Sequence, residues 1–151
     1  MARKQSTVTR KQRQISLNTV RSQVHNDCYV CSSTNNSGLS LEFTPSKDGE
    51  VEASFTCDNR FQGYPGYVHG GVVSSLLDGA MTNCMFALGL TPLTAELKVR
   101  FRHPLLISQP ATVRAWLNHH TPPLYTLEAE IVQENLIKAC AWGKFLDRFD
   151  P

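Results

Sequence analysis

The stretch Phe61-Gln62-Gly63-Tyr64-Pro65-Gly66-Tyr67-Val68-His69-Gly70-Gly71 runs straight into Val72-Val73-Ser74-Ser75-Leu76-Leu77-Asp78-Gly79-Ala80-Met81. A loop dense in glycine and proline thus enters a long apolar segment through two consecutive glycines, where bare backbone can come close to a ligand. Val72, Val73, Leu76, Leu77, Ala80, Met81, Cys84, Met85, Ala87 and Leu88 cover most of a helical circumference, which predicts a buried helix from Val72 to about Leu88. The first amides of such a helix have no partner inside it and carry the positive end of its dipole, so they suit a carbonyl oxygen that gains negative charge. The one polar seam is Ser74, Asp78 and Thr82 at i, i+4 and i+8, with Ser75 beside it. Asp78 is therefore an ionisable group on a helix whose other surfaces leave water, and a carboxylate kept in such a place usually has a chemical or ion-pairing purpose. The Ser74 and Thr82 hydroxyls, one turn away on either side, are in position to hold it by hydrogen bonds.

Outward from this helix the pattern changes period. Leu39, Leu41 and Phe43, then Val51, Ala53, Phe55 and Cys57 after Lys47-Asp48-Gly49, alternate as the two arms of a hairpin. Leu93, Ala95, Leu97, Val99 and Phe101 alternate with Thr94, Glu96, Lys98, Arg100 and Arg102, the cleanest strand in the chain. Three more strands are expected at Ala111 to Asn118, Leu124 to Val132 and Leu136 to Phe145. One long apolar helix among about six antiparallel strands is an α+β domain with a curved sheet wrapped around the helix.

A chain of 151 residues with 41% hydrophobic content suffices for one domain with a real core. The longest apolar stretch, Gly79 to Leu90, is interrupted by Thr82, Asn83 and Gly89, so no bilayer span and no membrane partner are expected, and no secretory segment is seen. All thirteen acids lie at Asp27 or later, while Arg3, Lys4, Arg10, Lys11, Arg13 and Arg21 precede them. The basic balance belongs to the start of the chain, which argues against a nucleic-acid partner for the domain. Residues 1–26 read as a basic arm, disordered or a short helix, and 27–151 as the single domain. Within the arm, Met1 to Gln14 reads as solvated and disordered, with an organelle transit segment as the other reading. Five cysteines, an odd number, fit a reducing, cytoplasmic compartment. His25-x-x-Cys28-x-x-Cys31 offers three ligands where a structural zinc takes four, so the pair Cys28 and Cys31 is expected to pack under the N-terminal segment and no metal is expected.

His69-Gly70-Gly71, followed by Leu76-Leu77-Asp78 with the carboxylate nine residues after the histidine, resembles the hotdog-fold acyl-CoA thioesterases of the phenylacetate-pathway (PaaI-like) type. The likeness extends to Gly38-Leu39-Ser40-Leu41 and to Thr94-Ala95-Glu96-Leu97-Lys98-Val99-Arg100-Phe101, ending near Pro104. It implies a hotdog fold and hydrolysis of an acyl-CoA with no cofactor. It also implies that the Gly70 N–H stabilises the oxyanion, that Asp78 is general base or nucleophile, that His69 shapes the site and that Thr94 assists. His69 reads equally as a loop histidine bonding the backbone, and the parity of its strand also fits plain exposure for Thr94. Some relatives carry Asn or Gln where this chain has Gly63; Gln62, next to it, is the substitute candidate. Gly71 and Phe61 belong to the same substrate-binding block, and Tyr64, Tyr67, Met85 and Phe86 are either acyl-pocket walls or plain core. Arg60, Lys98, Arg100, Arg102 and Arg114 are candidates for the phosphates of coenzyme A, or simply a solvated strand face.

Eight helical residues from Gly70 to Asp78 span about 12 Å, yet both groups must act on one carbonyl. Two antiparallel copies resolve this, Gly70 of one meeting Asp78 of the other, and shared sites are also what the resemblance implies. A homodimer is thus the expected minimal unit, alone or as a dimer of dimers (a homotetramer). Two rival readings remain: a hydroxyacyl-thioester dehydratase of the same fold, and a non-catalytic acyl-CoA-binding protein. The sequence names no acyl group.

Overall fold

The computed structural model describes residues 8–46 and 48–147. A helix α1, Arg10–Val24, leads by way of a turn-rich segment to strand β1, Thr44–Pro45, and strand β2, Val51–Thr56. The glycine-rich loop and the long helix α2, Gly70–Phe86, follow. Strands β3 (Pro92–Phe101), β4 (Pro110–Thr121), β5 (Leu124–Gln133) and β6 (Leu136–Asp147) complete a six-stranded antiparallel sheet in the order β1-β2-β4-β5-β6-β3. This is the hotdog architecture: one helix held in the concave face of a curved sheet.

The alternation along the strands explains the packing. Leu127, Ala129 and Ile131 of β5 and Ala139, Ala141 and Phe145 of β6 turn inward, where they meet Leu76, Leu77, Met81 and Met85 of α2. Each large apolar side chain buried this way contributes on the order of 2 kcal/mol. Helix and sheet approach closely at Gly143, where a Cβ would lie 3.1 Å from Met81 Sδ and 2.5 Å from the Phe145 ring.

Three expectations need correction. The helix begins at Gly70, two residues before Val72, because the His69 side chain caps it; Nδ1 accepts from the Gly71 N–H at 2.9 Å. The predicted strand at Leu39 to Phe43 does not pair with β2. Leu39 and Leu41 instead donate their N–H groups to Tyr29 and Val30 carbonyls, and only Thr44–Pro45 joins the sheet. Leu41 and Phe43 are buried all the same, so alternation correctly marked burial but not the ladder. Lys47 of the expected turn lies outside the described residues, while Gly49 takes a positive φ of 84°.

The third correction concerns the disordered reading of Met1 to Gln14, of which residues 1–7 lie outside the described residues, and not the short helix that residues 1–26 also allowed. From Arg10 the chain is helical, opened by a capping box between Thr9 and Gln12. Leu17, 1% exposed, and Val20 belong to the core, and Arg10 Nε donates to the Pro45 carbonyl at 2.8 Å. Among the described residues no helix is long and apolar enough to cross a membrane.

Candidate active site

Phe61, buried at the end of a short 3-10 turn, anchors the loop that precedes α2, and its carbonyl accepts the His69 N–H at 2.8 Å. The Val68 N–H bonds the Leu105 carbonyl at 2.8 Å, and the Ile107 N–H bonds Gly66. Leu105 to Ile107 are themselves held by Gln133, 2% exposed, whose amide exchanges bonds with the Leu106 N–H and carbonyl at 2.9 and 3.0 Å. Gln133 is a support that the sequence reading missed, although the period of β5 puts it on the same face as Leu127, Ala129 and Ile131.

The Gly70 N–H makes no hydrogen bond to a described residue, whereas the Gly71 N–H is taken by the His69 cap. Gly70 also lines a cleft of about 370 Å³ with Tyr64, Tyr67, Phe101, Arg102 and Lys138. A free helix-terminal N–H opening on an apolar cleft can donate to a carbonyl oxygen.

Asp78 faces away from the core on the same helix, half-buried, and its Oδ1 accepts from Thr94 Oγ1 of β3 at 2.8 Å. This revises the expected partners. Ser74 Oγ donates to the Gly70 carbonyl instead, Ser75 Oγ to that of Gly71, and Thr82 is buried inside the domain. Thr94 reaches Asp78 only because β3 changes register between Thr94 and Glu96. Beyond this bulge Glu96 pairs with Lys144 and Lys98 lies over the Trp142 ring, on the outer face. Leu97, Val99 and Phe101 oppose the inward residues Gly143, Ala141 and Ala139, and Thr94 opposes the inward Phe145. The extra residue thus re-aims Thr94 toward the helix, as bulges next to sites commonly do.

Burial raises the Asp78 carboxyl above its ordinary value, and the Thr94 hydrogen bond opposes that shift. Cys28 and His25 lie near enough to perturb it as well. Among the other thiols, burial pushes Cys57 up to about 11 and Cys84 up to about 12, so neither is a thiolate at neutral pH.

The remaining candidates separate. Gln62 Oε1 accepts from the Gly66 N–H at 2.9 Å, the local loop bond of a structural residue, and Gly63 stacks its backbone on His69 with room for little more than a hydrogen. Met85 and Phe86 are core, while Tyr64 and Tyr67 are exposed and line the cleft. Of the cations, Arg102 lines that cleft, joined by Lys138, which no motif marked. Arg60 pairs with Asp58 and Arg114 with Glu130. Arg100 lies exposed on the outer face of β3 beside Cys140.

A family model for the thioesterase superfamily matches residues 65–140, half of the chain, from the glycine loop through α2 and β3 to β6. The chain belongs to the thioesterase superfamily. No curated protein matches it. Solved structures show the fold at low identity. The Escherichia coli PaaI protein from the phenylacetic acid degradation operon is 18% identical, covers 93% of this chain and 96% of its own, and superposes with a TM-score of 0.77. Zebrafish thioesterase superfamily member 2 is 16% identical over 88% of this chain and 99% of its own, TM-score 0.71. A hypothetical thioesterase of Streptococcus pneumoniae, solved with coenzyme A, is 20% identical over 70% of this chain and 86% of its own, TM-score 0.66. That pneumococcal protein has also been solved as two variants, with alanine replacing an aspartate in one and a threonine in the other, sixteen positions apart.

Proposed function

We propose that this protein is an acyl-CoA thioesterase that works as a homodimer, alone or paired into a dimer of dimers, with each site shared between two chains. The observation that carries the reading is the 2.8 Å bond from Thr94 to Asp78, a half-buried carboxylate held by one hydroxyl on the face where β3 and α2 lie open. The pneumococcal variants support the choice of pair, since Asp78 and Thr94 here are separated by the same sixteen positions. Coenzyme A in the pneumococcal structure supports the substrate class.

In the reaction, the thioester oxygen sits on the Gly70 N–H of one chain. Asp78 of the other chain takes a proton from water as it adds to the carbonyl carbon, or itself adds to that carbon and is released by water. The oxygen becomes anionic in either route, and one preorganised amide there stabilises it by about 3 kcal/mol. Collapse breaks the carbon–sulfur bond, and the departing CoA thiolate takes up the proton to leave free acid and CoA. His69 acts on this through structure: its cap fixes the start of α2 and so the direction of the Gly70 N–H. Arg102 at the cleft supplies charge for CoA phosphates, whereas Lys138 beside it is buried and paired with Glu134 at 3.3 Å.

The single chain is unfinished in a way that fits a dimer. On edge strand β3, Leu93 is 49% exposed and Phe101 56%, beside the open start of α2. A second copy across this face covers apolar surface and brings its own Gly70 toward Asp78. The dehydratase reading is disfavoured by the His69 cap. That chemistry needs a histidine free to move protons, whereas Nδ1 here is committed to the Gly71 N–H. Thiol release from short, medium, long and aromatic acyl-CoAs tests the proposal. Turnover of at least one is expected; binding without release would leave an acyl-CoA-binding protein, and hydration of an enoyl-CoA would reinstate the dehydratase.

A further inference from the structure

His25, Cys28 and Cys31 take no part in the thioester chemistry, yet the fold gathers their ligand atoms within 4.8 Å of one another. His25 is the residue that caps the end of α1, and the two cysteines lie on the turn that follows. Cys31 is 2% exposed and its Sγ lies 3.8 Å from His25 Nδ1. Tetrahedral zinc, with bonds of about 2.3 Å to sulfur and 2.0 Å to nitrogen, sets its ligand atoms roughly 3.5–3.8 Å apart. Shifts on the order of 1 Å therefore bring all three onto one ion.

The surroundings suit thiolate ligands. The Val30 N–H donates to Cys28 Sγ at 3.3 Å. Arg21 sits beside Cys31 with its guanidinium donating to the Cys31 carbonyl at 2.9 Å. Donors such as the Val30 N–H orient metal-bound sulfur. Two thiolates and a neutral imidazole also balance a divalent cation, which removes most of the cost of burying the charges.

The sequence argument against a metal was the missing fourth ligand. The structure answers it, because His25 and Cys28 are only half-buried and leave the fourth position to water. We infer that His25, Cys28 and Cys31 bind one zinc ion, with water as fourth ligand, and that the ion clips the end of α1 to the turn behind Asp78. Soft sulfur with imidazole selects zinc over magnesium or calcium. The clip matters to the site because Val30 of this turn crosses α2 at Gly79, next to the carboxylate. A Cβ at Gly79 would lie 2.5 Å from Val30 Cγ1.

The test uses the full-length protein, reduced, stripped with a chelator and titrated with zinc against a chromophoric competitor. One zinc per chain is expected by native mass spectrometry, with affinity weakened on the order of 100-fold in Cys28→Ser and His25→Gln. Zinc is also expected to raise the melting temperature of the wild type and to leave that of both variants unmoved. In the wild type, zinc should protect Cys28 and Cys31 from alkylation while Cys140 labels as before, a readout that does not depend on the variants folding. Equal zinc affinity in wild type and folded variants would overturn the proposal. So would alkylation of Cys28 and Cys31 at the same rate with and without zinc, or a Cys28–Cys31 disulfide forming in air with zinc present, which would make the pair a redox couple.

Discussion

The ionisation of Asp78 is set by two opposed effects, burial raising the carboxyl and the Thr94 hydroxyl lowering it. The carboxylate is the working form, so kcat/KM is expected to rise with pH through a value above the ordinary carboxylate range. Thr94→Val removes the bond that favours ionisation and should move this acid limb to higher pH as well as slow the reaction; a limb that moves down would refute the assignment. Stability has the opposite sign. A folded value raised above the unfolded one means that protonated Asp78 stabilises the fold at low pH, and this contribution is lost as pH rises through the folded value. Asp78→Asn is therefore expected to cut turnover by orders of magnitude and yet melt at or above the wild-type temperature at neutral pH. The melting difference should vanish in acid, where the wild type is protonated too. A variant that melts well below wild type at neutral pH would show that the charge is paired and stabilising.

At the scale of elements, α1 and the β3 bulge decide what the site can do. Leu17→Ala leaves a cavity between α1 and the rest of the core and should cost about 2–5 kcal/mol, read as a lower denaturant midpoint at unchanged slope. A loss of a few tenths would mean that α1 rests on the domain without supporting it. Deleting Ala95 removes the extra residue of β3 but leaves Thr94 opposite Phe145 and Glu96 opposite Lys144 in a regular ladder, so Thr94 should stay aimed at the helix and activity should fall less far than in Thr94→Val. These two elements were also the least legible from sequence. The helix was readable because apolar residues cover nearly its whole girth, and β4, β5 and β6 because inward apolar residues alternate through most of each strand. The Arg10 to Gln14 stretch looked like a solvated arm because its stabilising features are a cap and two arginines with distant partners. Strand parity likewise put Thr94 on the outer face with Lys98, since a bulge leaves no mark in residue type. In the sequence Gly70 and Asp78 stand out as a glycine at the start of the helix and a carboxylate on its polar seam, and His69 only through the resemblance to the family. Ser74 and Thr82 were credited with a bond that Thr94 makes, because helical neighbours can be counted and a strand from across the sheet cannot.

At the scale of the whole molecule, the proposed site requires two chains, because a straight helix keeps Gly70 about 12 Å from its own Asp78. Gly70→Pro isolates the amide. Gly70 is the first residue of α2, where proline is tolerated, and His69 already has the extended φ and ψ of −58° and 137° that a following proline requires. A Cβ there meets the Phe101 ring at an ordinary 3.6 Å, so the substitution removes the N–H and leaves the helix start in place. Gly70→Pro and Asp78→Asn should each be inactive alone. Mixed by unfolding and reassembly, they form heterodimers in which one site joins an intact Gly70 to an intact Asp78 and the other joins the two lesions. With half the dimers mixed and one good site in each, about a quarter of wild-type activity should return. Heterodimers seen by native mass spectrometry without recovered turnover would place both groups in one chain, and α2 would then have to bend to bring them together.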